Sequence, residues 1–369
     1  MKPIFEYIYT ENLEKLKATA LNAAIVNQAD ENGMTPLAFA ASKSKNTEIV
    51  SFLIEAGAEV NRKDQYGMTP LMYAAMMNPE VEIIDTLLEN GANLFYKDEN
   101  GMTALLWAAK ENQNPAVCTF LIDCGADIAE RDFKFNVNAL MIAAKENTNP
   151  AVISLLIALG ANVNDTTANG MTALMLASGK NINPAVIAAL ITGGADVNRQ
   201  DKDGYTALLY AAESNINPEV IEFLLVHGAK ITDKNKKGAS ALLLAASKNP
   251  APAVIHTLVK YGAKLQEKDA VISATPLFWA AAMNPNPRIL DALLKEGADI
   301  NETVNGRTAL MVACGGNPNP AVVGFLLEQG MDPSVADKEG ATALDYARNN
   351  QALQGTEALL HLMPVSGQK

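Results

Sequence analysis

The sequence predicts an all-α fold, a solenoid of stacked helix–turn–helix units joined by β-hairpin-like turns. Two observations predict it: a pattern of about 34 residues recurs along nearly the whole chain, and apolar residues follow helical spacing within each repeat. A third is the uniform composition of the 369 residues, since no Pro/Gly/Ser-rich linker or charge block divides them into separate globular domains.

Glycines mark the repeat in two rows that keep the same register. The first row stands two positions before a Thr-Ala-Leu or Thr-Pro-Leu segment in most repeats, and Asn136 and Ser273 replace the glycine in two of them. Its members are Gly33, Gly67, Gly101, Gly170, Gly204, Gly238, Gly306 and Gly340. The second row is Gly57, Gly91, Gly125, Gly160, Gly194, Gly228, Gly262, Gly297 and Gly330. Two rows in step over nine repeats indicate one continuous array.

Residues 101–134 illustrate the first helix of a repeat. Thr103 is a favourable N-cap, and Leu105 and the paired alanines that follow it have helical spacing. Small alanines in this position allow neighbouring helices to approach closely. Asn112 is expected to end the helix, because asparagine tolerates the left-handed conformation found after helix ends.

The second helix of the same repeat begins at an Asn-Pro pair. Asn114 can cap the free amide groups, and Pro115 loses nothing at the first helical position. Gly125 is expected to close this helix. The polar, Asp- and Asn-rich segment that follows predicts an extended, hairpin-like turn leading to the next repeat.

These motifs resemble those of the ankyrin repeat family. Thr-Pro-Leu-x-x-Ala-Ala at 35–41, 69–75 and 275–281 is similar to the ankyrin Thr-Pro-Leu-His-x-Ala motif, and Gly-Ala-Glu/Asp-Val-Asn segments follow downstream. The resemblance covers 33–339 as nine repeats, with a degenerate capping repeat at 1–32 and a capping repeat and tail at 340–369. Tetratricopeptide repeats share the 34-residue period, but their Trp/Leu-Gly/Tyr pattern is absent.

The sequence departs from the family pattern in two ways. The motif histidine is replaced throughout, mostly by apolar residues such as Met72, Met141 and Met175, which are therefore expected to be buried between repeats. The turn between the two helices is also longer by one residue, which explains a period of 34 in place of 33.

Charge and composition limit the partners. The net charge of −12 repels phosphate backbones and anionic lipids, and no basic patch offsets it, so neither nucleic acid nor a membrane is an expected partner. No apolar run is long enough to span a bilayer. Three cysteines and no visible signal peptide favour a cytoplasmic protein, while secretion, or a leader trimmed from this sequence, stays open.

The sequence contains no recognisable catalytic or metal-binding constellation. The three histidines lie in separate repeats and are expected at the surface; Cys118 and Cys124 are expected to act as small buried hydrophobes. Register-matched asparagines at the end of the first helices favour backbone hydrogen bonding between stacked turns. No cofactor is expected, and the chain is predicted not to be an enzyme.

Positions that vary between repeats are the candidate binding residues. In ankyrin-like folds the turn tips and the exposed face of the first helices line a concave groove used for partners. The predicted partner-binding residues, centred on the second to fourth repeats, are Met34, Tyr66, Met68, Tyr73, Met76, Met77, Met102, Trp107, Lys110, Phe133 and Phe135. The competing interpretation is that these side chains fold inward and complete the core.

The resemblance therefore implies a non-catalytic scaffold or adaptor that binds another protein through this groove, as an elongated and monomeric chain. One alternative is a secreted effector that uses the same groove on a foreign protein. The other is an enzyme with a cryptic site within the repeats.

Overall fold

The computed structural model describes residues 2–19 and 21–363, and this part of the chain is mostly helical. Its α-helices are α1 (Pro3–Tyr9), α2 (Leu13–Ala18), α3 (Ala23–Val26), α4 (Pro36–Lys43), α5 (Thr47–Glu55), α6 (Pro70–Met77), α7 (Val81–Glu89), α8 (Ala104–Glu111), α9 (Pro115–Asp123), α10 (Ala139–Glu146), α11 (Pro150–Ala158), α12 (Ala173–Lys180), α13 (Pro184–Thr192), α14 (Ala207–Ser214), α15 (Pro218–Val226), α16 (Ala241–Lys248), α17 (Pro252–Lys260), α18 (Pro276–Met283), α19 (Pro287–Lys295), α20 (Ala309–Gly316), α21 (Pro320–Glu328), α22 (Ala343–Ala347) and α23 (Glu357–Leu362). A 3₁₀ helix, Gln351–Leu353, precedes the last of them.

The chain divides into two compact units, residues 1–177 with 188–195, and residues 178–187 with 196–369. In the first unit the first helices α4, α6, α8 and α10 pack in that order, and α5, α7, α9 and α11 form the second row. In the second unit α14, α16, α18, α20 and α22 form one row and α15, α17, α19, α21 and α23 the other. The predicted architecture of stacked helix–turn–helix units is confirmed.

The first helix of each repeat begins as predicted. The Thr103 hydroxyl accepts a hydrogen bond from the Leu106 amide at 3.3 Å, and Thr69 does the same for Met72. The paired alanines, such as Ala108 and Ala109, are fully buried and allow adjacent first helices to pack closely.

The first helix ends for a different reason from the one expected. Asn112 has φ −75° and ψ 128°, which is extended and not left-handed. Its buried side chain instead donates from Nδ2 to the carbonyls of Ala75 (2.9 Å) and Asn78 (2.8 Å) in the preceding repeat. Its Oδ1 accepts from the Asn114 amide at 2.9 Å. One side chain therefore satisfies three backbone groups that helix ends leave open.

The same contacts recur along both units, and we call these residues the asparagine ladder. Its members with this contact pattern are Asn78, Asn112, Asn147, Asn215, Asn249, Asn284, Asn317 and Asn350. Each donates to two carbonyls of the preceding repeat. The predicted backbone hydrogen bonding between stacked turns is confirmed.

Second helices also follow the prediction. Asn114 Oδ1 accepts from the Ala116 amide at 3.1 Å, Pro115 occupies the first position, and Gly125 has a φ of +101°, where a side chain would be strained. Met72 and Met141, two of the residues that replace the motif histidine, are each 1% exposed, so their expected burial is confirmed.

The turns between repeats vary in form. Strands β1 (Thr303–Val304) and β2 (Arg307–Thr308) make one antiparallel hairpin, and isolated bridges occur at Lys234–Ser240 and Ala336–Thr342. Other turns are closed by their own aspartate: the Asp64 amide donates to the Met68 carbonyl at 3.0 Å. At the ends, α1 packs on α4 and α22 packs on α20. The division into caps at 1–32 and 340–369 stays a prediction.

Candidate partner-binding surface

The residue immediately before the paired small residues of each first helix determines what the turn aspartate contacts. We call it the slot residue, and the aspartate nine or ten positions earlier the turn aspartate. In five repeats a ring N–H or O–H at the slot donates to Oδ2 of the turn aspartate. These pairs are Tyr73–Asp64 (2.6 Å), Trp107–Asp98 (3.1 Å), Tyr210–Asp201 (2.6 Å), Trp279–Asp269 (3.0 Å) and Tyr346–Asp337 (2.7 Å).

These pairs are fixed internal contacts. Burial, followed by the hydrogen bond to Asp64, raises the pKa of Tyr73 well above its ordinary value, so the hydroxyl remains a donor. The hydrogen bond from Tyr346 in turn lowers the pKa of Asp337. Tyr73 and Trp107, both predicted to bind a partner, are therefore half-buried and held by the turns of their own repeats.

Two turn aspartates of the first unit lack such a donor: Asp30, whose slot residue is Phe39, and Asp132. The slot residue at 142 is isoleucine, and Asp132 Oδ1 accepts from the amides of Phe135 (3.1 Å) and Val137 (2.9 Å). Within residues 2–19 and 21–363 no donor contacts Oδ2, although Asp132 is only 7% exposed. The slot residue Ile142 supplies no ring donor to Asp132.

A pocket with a cavity volume of about 440 Å³ lies at this position, within the first unit. Asp132 and Ile142 line it, together with the slot residues of the repeats on either side, Trp107 and Leu176. Further apolar lining comes from Met102, Phe135, Val137, Met141 and Met171. The remaining charged side chains of the lining are Lys110, Lys134, Lys145 and Glu146. The pocket can therefore accommodate an apolar ring, and one carboxylate oxygen can accept a hydrogen bond from a polar group on that ring.

The pocket brings together four of the predicted binding residues: Met102, Trp107, Lys110 and Phe135. The others lie outside it. Of these, Tyr66 (57% exposed), Met77 (43%) and Phe133 (67%) are exposed, while Met34, Tyr73 and Met76 are half-buried.

The structure corrects the placement of two methionines. Met68 is 5% and Met102 is 7% exposed, so neither presents a side chain at the tip of its turn. The backbone amides of Met68 and Met102 donate to Asp64 and Asp98, and the side chains of both methionines point inward. The inward-folding interpretation holds for these two residues.

Lysines cover the exposed aromatic rings of this surface. The Nζ of Lys97 lies 5.0 Å from the Phe133 ring centroid, and the Nζ atoms of Lys134 and Lys145 lie 5.1 and 5.9 Å from that of Phe135. Phe133 is positioned by Gly101, because a Cβ at residue 101 would lie 2.5 Å from the Phe133 Cγ. Aromatic rings and positive charge therefore occur together, in a chain whose net charge is negative.

The remaining titratable candidates do not form a catalytic arrangement with one another. His227, His256 and His361 are exposed, as expected. Cys118 is buried, and burial raises the pKa of its thiol to about 12, but Cys124 is exposed at the end of α9, against expectation. The described residues include no group of three or more metal-ligating side chains, and no described helix is long and apolar enough to cross a membrane.

Sequence reasoning missed the pairing of ring and aspartate. Aligned repeat by repeat, Tyr or Trp occupies the slot only where Asp occupies the turn, whereas Leu176 and Leu244 follow Thr167 and Asn235. That paired variation was visible in the sequence. It would have singled out Asp132 as an aspartate whose slot, Ile142, carries no ring.

The comparisons agree with this architecture. A family model of ankyrin repeats in three copies matches residues 4–98, 63–132, 105–188, 140–235, 179–269 and 277–366. The chain therefore belongs to the ankyrin repeat family, whose repeats are generally protein–protein interaction modules.

A solved relative shows the same fold. The crystal structure of the human ASB11 ankyrin repeat domain matches with a TM-score of 0.53 and 26% identity, covering 62% of this chain and 97% of that chain. No curated protein matches.

Proposed function

We propose that this protein is a scaffold or adaptor that binds another protein through the aromatic surface of its first unit. In this proposal it works as a monomer in the cytoplasm, catalyses no reaction, and binds neither nucleic acid nor membranes, in keeping with its net charge of −12.

The distribution of exposed aromatic side chains carries the proposal. Among the described residues, all exposed phenylalanine and tyrosine side chains lie in the first unit: Tyr9, Tyr66, Phe95, Tyr96, Phe133 and Phe135. The exposed large hydrophobics of the second unit are aliphatic or methionine. Aromatic residues are enriched at the centres of protein interfaces, and exposed apolar groups in one region are unfavourable unless something covers them.

The test compares two sets of exposed residues of equal number. Tyr66, Met77 and Phe133 are replaced together by serine; the control replaces Val226, Val271 and Leu360, which are exposed in the second unit. Affinity purification and mass spectrometry identify partners, and a purified partner is then titrated against each variant. We expect the first variant to lose affinity at least tenfold with an unchanged melting temperature, and the control to bind like the parent. Equal affinity of both variants would refute the proposal.

A further inference from the structure

We propose that the pocket beside Asp132 receives a tyrosine or tryptophan side chain of the partner protein, whose O–H or N–H donates to Asp132 Oδ2. This inference rests on the proposed function and specifies which chemistry the surface recognises. The partner's ring would occupy the place that a slot ring of the chain itself occupies in five other repeats.

The repeat around Asp269 shows what the pocket lacks. There the turn has the same length, since Asp269 and Trp279 are ten residues apart, as are Asp132 and Ile142. Asp269 receives the Ile272 and Ala274 amides at 2.8 and 2.7 Å, as Asp132 receives those of Phe135 and Val137. Trp279 then donates from Nε1 to Oδ2. The oxygens differ, because the Ala274 amide shares Oδ2 of Asp269 with Trp279, whereas both amides at Asp132 donate to Oδ1. The carboxylate of Asp64 has the arrangement of Asp132, with two amides on Oδ1, and there the Tyr73 hydroxyl donates to Oδ2.

A carboxylate oxygen that no described donor contacts selects its ligand. The residue Asp132 is 7% exposed and its two amide bonds end on Oδ1, so a phenol or indole of the partner can donate a hydrogen bond to Oδ2. Phenylalanine fills the same volume but leaves the oxygen unpaired. The charged lining consists of Lys110, Lys134 and Lys145 against Asp132 and Glu146, a net charge of +1, which favours acidic residues beside the partner's ring.

The apolar lining suits an aromatic ring. Met102, Met141 and Met171 line the pocket, and thioether sulfurs make favourable contacts with aromatic rings. The cavity volume of about 440 Å³ is within the range of binding pockets, about 300–1,000 Å³, and exceeds what a methyl group or a water needs.

The experiment uses the full chain with ¹³C-labelled methionine methyl groups and four acidic five-residue peptides, which carry Tyr, Trp, Phe or Ala between two flanking acidic residues on each side. Resonances of Met102, Met141 and Met171 are followed by NMR during titration. We expect the Tyr and Trp peptides to shift these resonances with at least fivefold higher affinity than the Phe peptide. The Ala peptide should leave the three resonances in place.

Two variants locate the binding. Ile142→Trp places a ring in the slot, as at Trp279, and should abolish the shifts. Asp132→Asn replaces the acceptor oxygen by an amide and should weaken the Tyr peptide at least tenfold, while Asp269→Asn is the matched control and should leave binding unchanged. Melting temperatures confirm that each variant folds.

Three results would overturn the inference: equal affinities for the Tyr and Phe peptides, full binding by a folded Ile142→Trp variant, or no shift with any peptide. The protein partner then separates this inference from the proposed function. If Tyr66, Met77 and Phe133 are needed for the partner but Ile142→Trp binds it normally, only the pocket assignment fails. If the three-residue variant keeps the partner, the proposed function fails.

Discussion

Two turns of equal length, one in each unit, differ in how they are completed. At 132–142 Asn136 has a φ of 55° and at 269–279 Ser273 has a φ of 59°, both left-handed. Each turn aspartate accepts amides of its own turn, two at Asp132 and three at Asp269. The second turn is closed by Trp279, whereas the first leaves a pocket above Ile142. The backbone of the turn is therefore organised by the aspartate, and the ring is an addition to it.

The capping residues beneath these turns also differ. Thr275 caps α18 and donates from its hydroxyl to Glu302, while Asn138 caps α10 and donates from Nδ2 to Asp165 at 2.9 Å. Asp165 in addition pairs with Arg131. The capping residue of the closed turn therefore contacts the half-buried carboxyl of Glu302, which pairs with no described arginine, whereas that of the open turn contacts Asp165, which forms an ion pair with Arg131.

The largest effect is expected in the core beneath the two turns. Met141 and Phe278 occupy equivalent positions and are 1% and 3% exposed. Met141→Ala should lower the free energy of unfolding by about 2–5 kcal/mol and Phe278→Ala by about 3–5 kcal/mol, because each leaves a cavity. Denaturant titration measures both. A cost below about 1 kcal/mol for Met141→Ala would mean that the open pocket has loosened the core below it.

Substitutions in the asparagine ladder should cost the same free energy of unfolding beside the open turn and beside the closed turn. Asn147 donates to the Ala109 and Asn112 carbonyls at 3.0 and 2.9 Å, and Asn284 makes the equivalent bonds at the same distances. Replacing either by alanine leaves buried carbonyls without a donor and should cost about 1–3 kcal/mol in unfolding free energy. Unequal losses in denaturant titration would show that the open turn weakens the ladder as well.

The repeating elements could be predicted from sequence because each depends on local chemistry. Thr103 caps its helix and Asn114 with Pro115 starts the next, whatever lies beyond the repeat. The binding surface was harder to predict, because exposure depends on neighbouring repeats. Met68 and Met102 occupy turn positions yet face inward, and nothing in their local sequence distinguishes them from exposed residues.

A ring introduced at the slot of the open turn should stabilise the folded chain. Ile142→Trp gives Asp132 Oδ2 a donor and fills the pocket, so the free energy of unfolding should rise by about 1 kcal/mol. Asp132→Asn in the same background should cancel most of this gain, and thermal or denaturant unfolding of the four chains gives the coupling. Absence of coupling would show that Oδ2 does not face the slot.

A pH-dependent effect concerns Glu302 beneath the closed turn. Burial, assisted by the negative charge of Asp299 and opposed by Lys268, raises the pKa of Glu302 to about 7 from an ordinary value of 4.5. Between these two values the folded chain holds this proton more often than the unfolded chain does. The contribution of Glu302 to stability is therefore fully present below about pH 4.5 and is lost as pH rises to about 7.

Glu302→Gln keeps a neutral side chain at every pH and should remove this loss. We expect the variant to melt close to the parent at pH 5 and a few degrees above it at pH 8. Asp165→Asn at the open turn is the matched variant; it should melt lower than the parent at both pH values, because Arg131 loses its carboxylate partner. Calorimetry at the two pH values measures both differences. If the difference between Glu302→Gln and its parent is the same at pH 5 and pH 8, Glu302 does not titrate in this range, and the two turns differ only in the ring.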